Sequence, residues 1–131
     1  MKNLESKLQI LCVKWFRLQF PNVLIFSIPN GGQRSLITAK ILKAEGTVSG
    51  VADLQIMKAK KGYNGLFIEM KYGKGKQSEN QINFQKKCEE ENYKYEVCNS
   101  FEKFKEICND YLTEKWINEH TSRNLQRAYV S

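Results

Sequence analysis

Gly50-Val51-Ala52-Asp53-Leu54-Gln55-Ile56-Met57 and Gly65-Leu66-Phe67-Ile68-Glu69-Met70-Lys71 are the stretches on which the fold of this chain turns. Apolar residues recur in both at alternate positions, the pattern of short strands. Side chains on a strand alternate faces, so Leu66, Ile68 and Met70 share one face and Phe67, Glu69 and Lys71 the other. By the same rule Ala52, Leu54 and Ile56 lie together, opposite Val51, Asp53 and Gln55. The segment between them, Lys58-Ala59-Lys60-Lys61-Gly62-Tyr63-Asn64-Gly65, carries two glycines and an asparagine and is expected to form a hairpin connection. Pairing symmetric about Lys61 places Asp53 opposite Glu69. Two carboxylates and an ammonium then converge on one face of a two-stranded ribbon.

That grouping suits a hard divalent cation. Mg²⁺ takes oxygen ligands in octahedral geometry, keeps several waters and is commonly held by one or two carboxylates. The plainer reading is a solvated strand face with an ordinary cross-strand acid and base. The surroundings bear on the choice. The chain carries a net charge of +7, unevenly placed. Residues 58–76 hold six lysines (58, 60, 61, 71, 74, 76) and one acid, Glu69. Residues 79–119 hold ten acids against six bases. A basic patch beside a metal site suits a polyanion such as nucleic acid, with Lys58, Lys60, Lys61, Lys74 and Lys76 as phosphate contacts. A surface charged only for solubility is more evenly mixed.

Outward from the hairpin, the remaining elements follow from periodicity and punctuation. Leu4, Leu8, Leu11, Trp15 and Leu18 form a helical stripe that ends before Pro21. Glu5 lies at the edge of that stripe, in the first turn, where the helix dipole favours an acid. Val23–Ile28 is a near-continuous apolar run and is expected to be a buried strand. Asn30-Gly31-Gly32 is a turn, and Arg34 beyond it is a candidate phosphate contact, against the alternative of a plain loop. Ser35 caps a helix through Lys43. Ser78-Glu79-Asn80-Gln81 fits a capping box, followed by a helix to about Asn92. Tyr93–Cys98 is a last strand, and Ser100 caps a helix through Leu112. This order predicts an α/β fold: a small mixed sheet flanked by helices.

Length and composition fit one domain with a real core: 131 residues, 41% hydrophobic and 27% charged. Residues 1–112 make up that domain, and 113–131 a C-terminal helical tail. The tail packs on the domain, joins a dimer interface or touches DNA. No run of about eighteen apolar residues is present, so no membrane partner is expected. The amino-terminal stretch is broken by Gln9, Lys14 and Arg17 and does not read as a secretory signal, which points to a cytoplasmic protein. Cys12, Cys88, Cys98 and Cys108 lack the close spacing of a zinc site and are expected to be thiols.

Asp…Glu-x-Lys resembles the active-site pattern of the PD-(D/E)xK nuclease superfamily. The ordered set Asn30-Gly31-Gly32, Glu45-Gly46, Gly50-Val51-Ala52-Asp53, Glu69-Met70-Lys71 and Ser78-Glu79-Asn80-Gln81 is more specific. It resembles the VRR-NUC family, in its stand-alone viral or bacterial type, over about residues 1–112. Ala52 stands where that family usually has proline, a residue that shapes backbone and binds no metal. The resemblance implies a restriction-endonuclease-like αβββαβ core. It implies Mg²⁺ or Mn²⁺ held by Asp53, Glu69 and the Met70 carbonyl, with Glu5 approaching from the first helix. It gives Lys71 the task of positioning or activating water, and Gln81 a place in the active site beside its capping role. It also implies an intracellular, bacterial or phage-encoded homodimer that cuts branched DNA, such as four-way junctions, in replication or repair. The alternatives are a nucleic-acid-binding module that does not cleave, and a protein-docking subunit that uses its acidic 79–119 surface.

Overall fold

The computed structural model describes residues 2–29 and 35–114. The elements run α1 (Lys2–Gln19), β1 (Leu24–Ser27), α2 (Leu36–Ala44), β2 (Leu54–Met57), β3 (Leu66–Met70), α3 (Glu79–Glu90), β4 (Lys94–Cys98) and α4 (Phe101–Leu112). The strands form one mixed sheet in the order β1-β2-β3-β4. β1–β2 and β2–β3 are antiparallel, and β3–β4 is parallel across the α3 crossover. The predicted α/β order of elements is the observed one.

Two clusters cover the sheet. One face packs Leu54, Ile56, Leu66, Ile68 and Met70 against Cys12 and Phe16 of α1 and Phe104, Ile107, Cys108 and Tyr111 of α4. Each such fully buried aliphatic side chain contributes roughly 1.5–3 kcal/mol. Trp15 sits edge-on to Phe101 and Phe104 at 6.2 and 6.1 Å between centroids, joining α1 to α4. The other face packs Phe67, Tyr93 and Tyr95 with Phe84 and Cys88 of α3. All four cysteines are free and buried, and burial pushes the Cys12 thiol up to about 12 and that of Cys88 to about 11.

Three local expectations are corrected. The core-facing arc of α1 follows the predicted stripe only in part: Cys12 and Phe16 are fully buried and Leu8 and Trp15 pack against the core, while Leu4, Leu11 and Leu18 are exposed. The helix is gripped between sheet and α4, which turns its buried arc away from those leucines. β1 is not buried on both faces. It lies at the sheet edge, where Ile25 is buried and Leu24 exposed. Ala52 does not share a face with Leu54 and Ile56. The chain bends at Asp53, β2 begins only at Leu54, and Ala52 packs with Cys88 and Tyr95 in the second cluster.

Candidate active site

Asp53 and Glu69 meet where β2 begins and β3 ends. The hairpin pairs Leu54 with Ile68, Gln55 with Phe67 and Ile56 with Leu66. Continuing that register by one residue sets Asp53 opposite Glu69, as the symmetric hairpin predicts. Past Leu54 the ladder is replaced by a side chain: the Met70 N–H donates to Asp53 Oδ2 at 2.6 Å. The Asp53 carbonyl accepts from the Ile28 N–H at 2.8 Å, tying the same residue to the end of β1. Asp53 is thus fixed from both sides by backbone. Burial raises its pKa above the ordinary carboxylate value, and the charges of Glu5 and Glu69 add to this. The Met70 N–H and Lys71 act in the opposite sense.

Glu69 is fully buried, which is rare for an ionisable side chain. Its Oε1 accepts from the Tyr95 hydroxyl and from Gln77 Nε2 at 3.3 Å. Gln77 is held in turn by Gln85 Oε1 at 2.9 Å. Burial, then the bond to Glu69 and its charge, push the Tyr95 hydroxyl far up, so it stays a donor. The other oxygen, Glu69 Oε2, is buried and accepts no hydrogen bond among the described residues. Lys71 Nζ stands 3.7 Å from it. A buried carboxylate oxygen left without a donor costs on the order of 1–3 kcal/mol or more.

Lys71 extends β3 by one residue and is held at both ends. Its N–H donates to the Cys98 carbonyl at 2.8 Å, and its Nζ to Gln81 Oε1 at 2.9 Å. The same Gln81 oxygen accepts from the Ser78 N–H at 2.8 Å, and Ser78 Oγ accepts from the Gln81 N–H at 3.2 Å. The capping box and the contact to the site lysine are therefore made by one side chain. α3 reaches this position because Gly50, at φ +89°, lies against the backbone of Asn80. A Cβ on Gly50 would stand 2.4 Å from the Asn80 carbonyl carbon. Asn80 Nδ2 also donates to Ser49 Oγ at 3.1 Å.

Glu5 is half-buried in the first turn of α1, and its charge reaches Asp53. The five candidate lysines divide. Lys74 and Lys76 are exposed in the segment after β3, at the end of the sheet that holds the acids. Lys58, Lys60 and Lys61 are not brought to that end. They lie at the hairpin tip, the far side of β2, itself about 13 Å long at 3.3 Å per residue. There they engage the end of α4. Tyr111 Oη donates to the Lys58 carbonyl at 2.5 Å, Lys60 pairs with Glu114 at 3.2 Å, and Lys61 donates to the Asp110 carbonyl. Arg34 and the tail from residue 115 lie outside the described residues.

Tyr95 and Gln77 carry no signal in the sequence. Tyr95 comes to Glu69 only through the parallel β3–β4 pairing, which spacing along the chain does not encode. Among the described residues, no three His, Cys, Asp or Glu side chains cluster as a metal cage. Two carboxylates with a buried, undonated oxygen match the sparser ligand set that Mg²⁺ takes, completed by waters.

The fold and this grouping of acids, lysine and glutamine define a nuclease-like α/β domain. The chain belongs to the VRR-NUC domain family, a branch of the PD-(D/E)xK superfamily: the family model matches residues 3–102. A solved structure of a "VRR_NUC domain protein" shares the fold with a TM-score of 0.69 at 21% identity, over 82% of this chain and 87% of that one. No curated protein matches the chain.

Proposed function

We propose that this chain is a Mg²⁺- or Mn²⁺-dependent DNA endonuclease, selective for branched DNA such as four-way junctions, and that it acts as a homodimer. The observation that carries the reading is the buried Glu69 carboxylate, with one oxygen fixed by Tyr95 and Gln77 and the other undonated beside Lys71 and opposite Asp53. Asp53, Glu69 and the Met70 carbonyl would hold the ion, with Glu5 nearby. When bound, such an ion lowers the pKa of a coordinated water and neutralises charge on a phosphoryl oxygen. Lys71 carries a proton at Nζ and is aimed by Gln81, so it can orient the attacking water or offset charge in the transition state. In-line attack at phosphorus forms one P–O bond and breaks that to the 3′-oxygen, leaving a 5′-phosphate. Lys74 and Lys76, exposed after β3 at the end of the sheet that holds the acids, are the candidate phosphate contacts, with Arg34 beside the Asn30-Gly31-Gly32 turn in sequence.

The test is incubation of the purified protein with end-labelled duplex, fork and four-way junction, with Mg²⁺, with Mn²⁺ and with chelator. Metal-dependent cutting that favours the junction supports the reading. Binding without cutting under either metal would refute it in favour of a non-cleaving nucleic-acid-binding module.

A further inference from the structure

A groove of about 660 Å³ runs along α1 beside the sheet edge, lined by Glu5 but not by Asp53 or Glu69. Glu5 and Ser27 line one end. That end adjoins the candidate active site: Ser27 pairs with Leu54, the next residue, Ile28, bonds the Asp53 carbonyl, and the Glu5 charge reaches Asp53. From there the lining follows one face of α1, and Glu5 to Arg17 spans about 18 Å at 1.5 Å per residue. The floor is apolar, built from Ile10, Val13 and the half-buried ring of Phe26. The far wall carries Lys14 and Arg17, both exposed, and neither makes an ion pair among the described residues.

Cations along a wall above an apolar, partly aromatic floor are what an unpaired nucleic-acid strand requires: charge for the phosphates and a ring face for a base. The volume falls within the roughly 300–1,000 Å³ of sites for small molecules, room enough for an unstacked nucleotide. We propose that this groove is a track for unpaired DNA, leading away from the site of cleavage, with Lys14 and Arg17 holding its phosphates and Phe26 offering a surface for a base. The inference rests on the nuclease reading for its direction, but its test is a binding measurement.

The experiment compares the full chain with K14Q/R17Q and with K7Q/K86Q, which loses the same charge from exposed lysines outside the groove. Fluorescence anisotropy of a labelled single strand and of its duplex is followed against salt in chelator, with a thermal melt to verify folding. Each phosphate contact to a single strand contributes about 0.7 to the log–log salt slope, so K14Q/R17Q should lose about 1.4 on the single strand. The duplex slope should hold for that variant, and both slopes for K7Q/K86Q. An unchanged single-strand slope in folded K14Q/R17Q overturns the groove, and an equal loss on duplex overturns its assignment to unpaired DNA. A wild-type chain that does not bind the single strand overturns the groove, and the nuclease reading then stands or falls on the cleavage assay alone. Binding with the expected slope change but no cleavage under Mg²⁺ or Mn²⁺ upholds the groove and overturns the nuclease reading alone.

Discussion

At the scale of single residues, the site is a cluster of like charges held against their own repulsion. Asp53, Glu69 and Glu5 lie close enough for the other two to raise the Asp53 pKa further beyond what burial does. Asp53→Ala or Glu69→Ala should abolish cleavage, and Lys71→Ala should lower it by on the order of 10²-fold or more. A steady-state assay on the preferred substrate measures both, and full activity in either acid variant would sink the assignment. Asp53→Asn should move stability the other way. Its amide keeps an oxygen for the Met70 N–H while the repulsion disappears, so the metal-free protein should gain about 1 kcal/mol in a chelator melt. The sign follows from the raised pKa. The native state holds its proton to higher pH than the unfolded chain, so the wild-type protein is favoured at low pH and loses that contribution as pH rises through the native pKa. Asp53→Asn should lack that part of the pH dependence. This part of the site was legible because a hairpin register is local, and counting residues about Lys61 is enough to pair 53 with 69. The supports of Glu69 were not legible, since Tyr95 and Gln77 arrive through a crossover and a loop.

At the scale of elements, the meeting of the Gly50 turn with the start of α3 sets the geometry of the lysine. A methyl group at Gly50 would strike the Asn80 backbone, and φ +89° is itself unfavourable for any residue with a Cβ. Gly50→Ala should therefore cost on the order of 2 kcal/mol, read from the denaturant midpoint at unchanged slope. It should also lower cleavage in the fraction that folds, because α3 carries the oxygen that aims Lys71. A variant with wild-type midpoint and rate would show that the contact positions nothing. Elements were legible wherever capping chemistry marks them. Ser35, Ser78 and Ser100 each cap the helix expected of them. What failed was rotation and depth. A leucine stripe does not say which arc of α1 faces α4, and an apolar run does not say that β1 has only one neighbour.

At the scale of the whole molecule, charge and uncovered apolar surface decide what the protein can meet. Lys74→Gln with Lys76→Gln should flatten the salt dependence of duplex binding by about 1.8, at about 0.9 per phosphate. Lys60→Gln with Lys61→Gln should leave it unchanged, since those side chains are occupied at the end of α4. An equal effect from both pairs would extend the DNA footprint over the hairpin tip. α2 buries no residue, and Leu36, Ile37 and Ile41 stand exposed on it. Sedimentation of the full chain should give a dimer, and comparison with a chain ending at Leu112 shows whether the tail takes part. A monomer at tens of micromolar would refute it. No helix among the described residues is long and apolar enough to cross a membrane. The parallel pairing of β3 with β4 has a consequence for the order in which the molecule is made. Synthesis runs from the amino terminus, and contacts distant along the chain close last. Asp53 and Glu69 can face each other once the hairpin exists, but the hydroxyl of Tyr95 and the carbonyl of Cys98 that anchors Lys71 come off the ribosome later. A nascent chain that stops short of residue 95 has its acids but neither of those anchors, so the site stays unfinished until the last strand has docked.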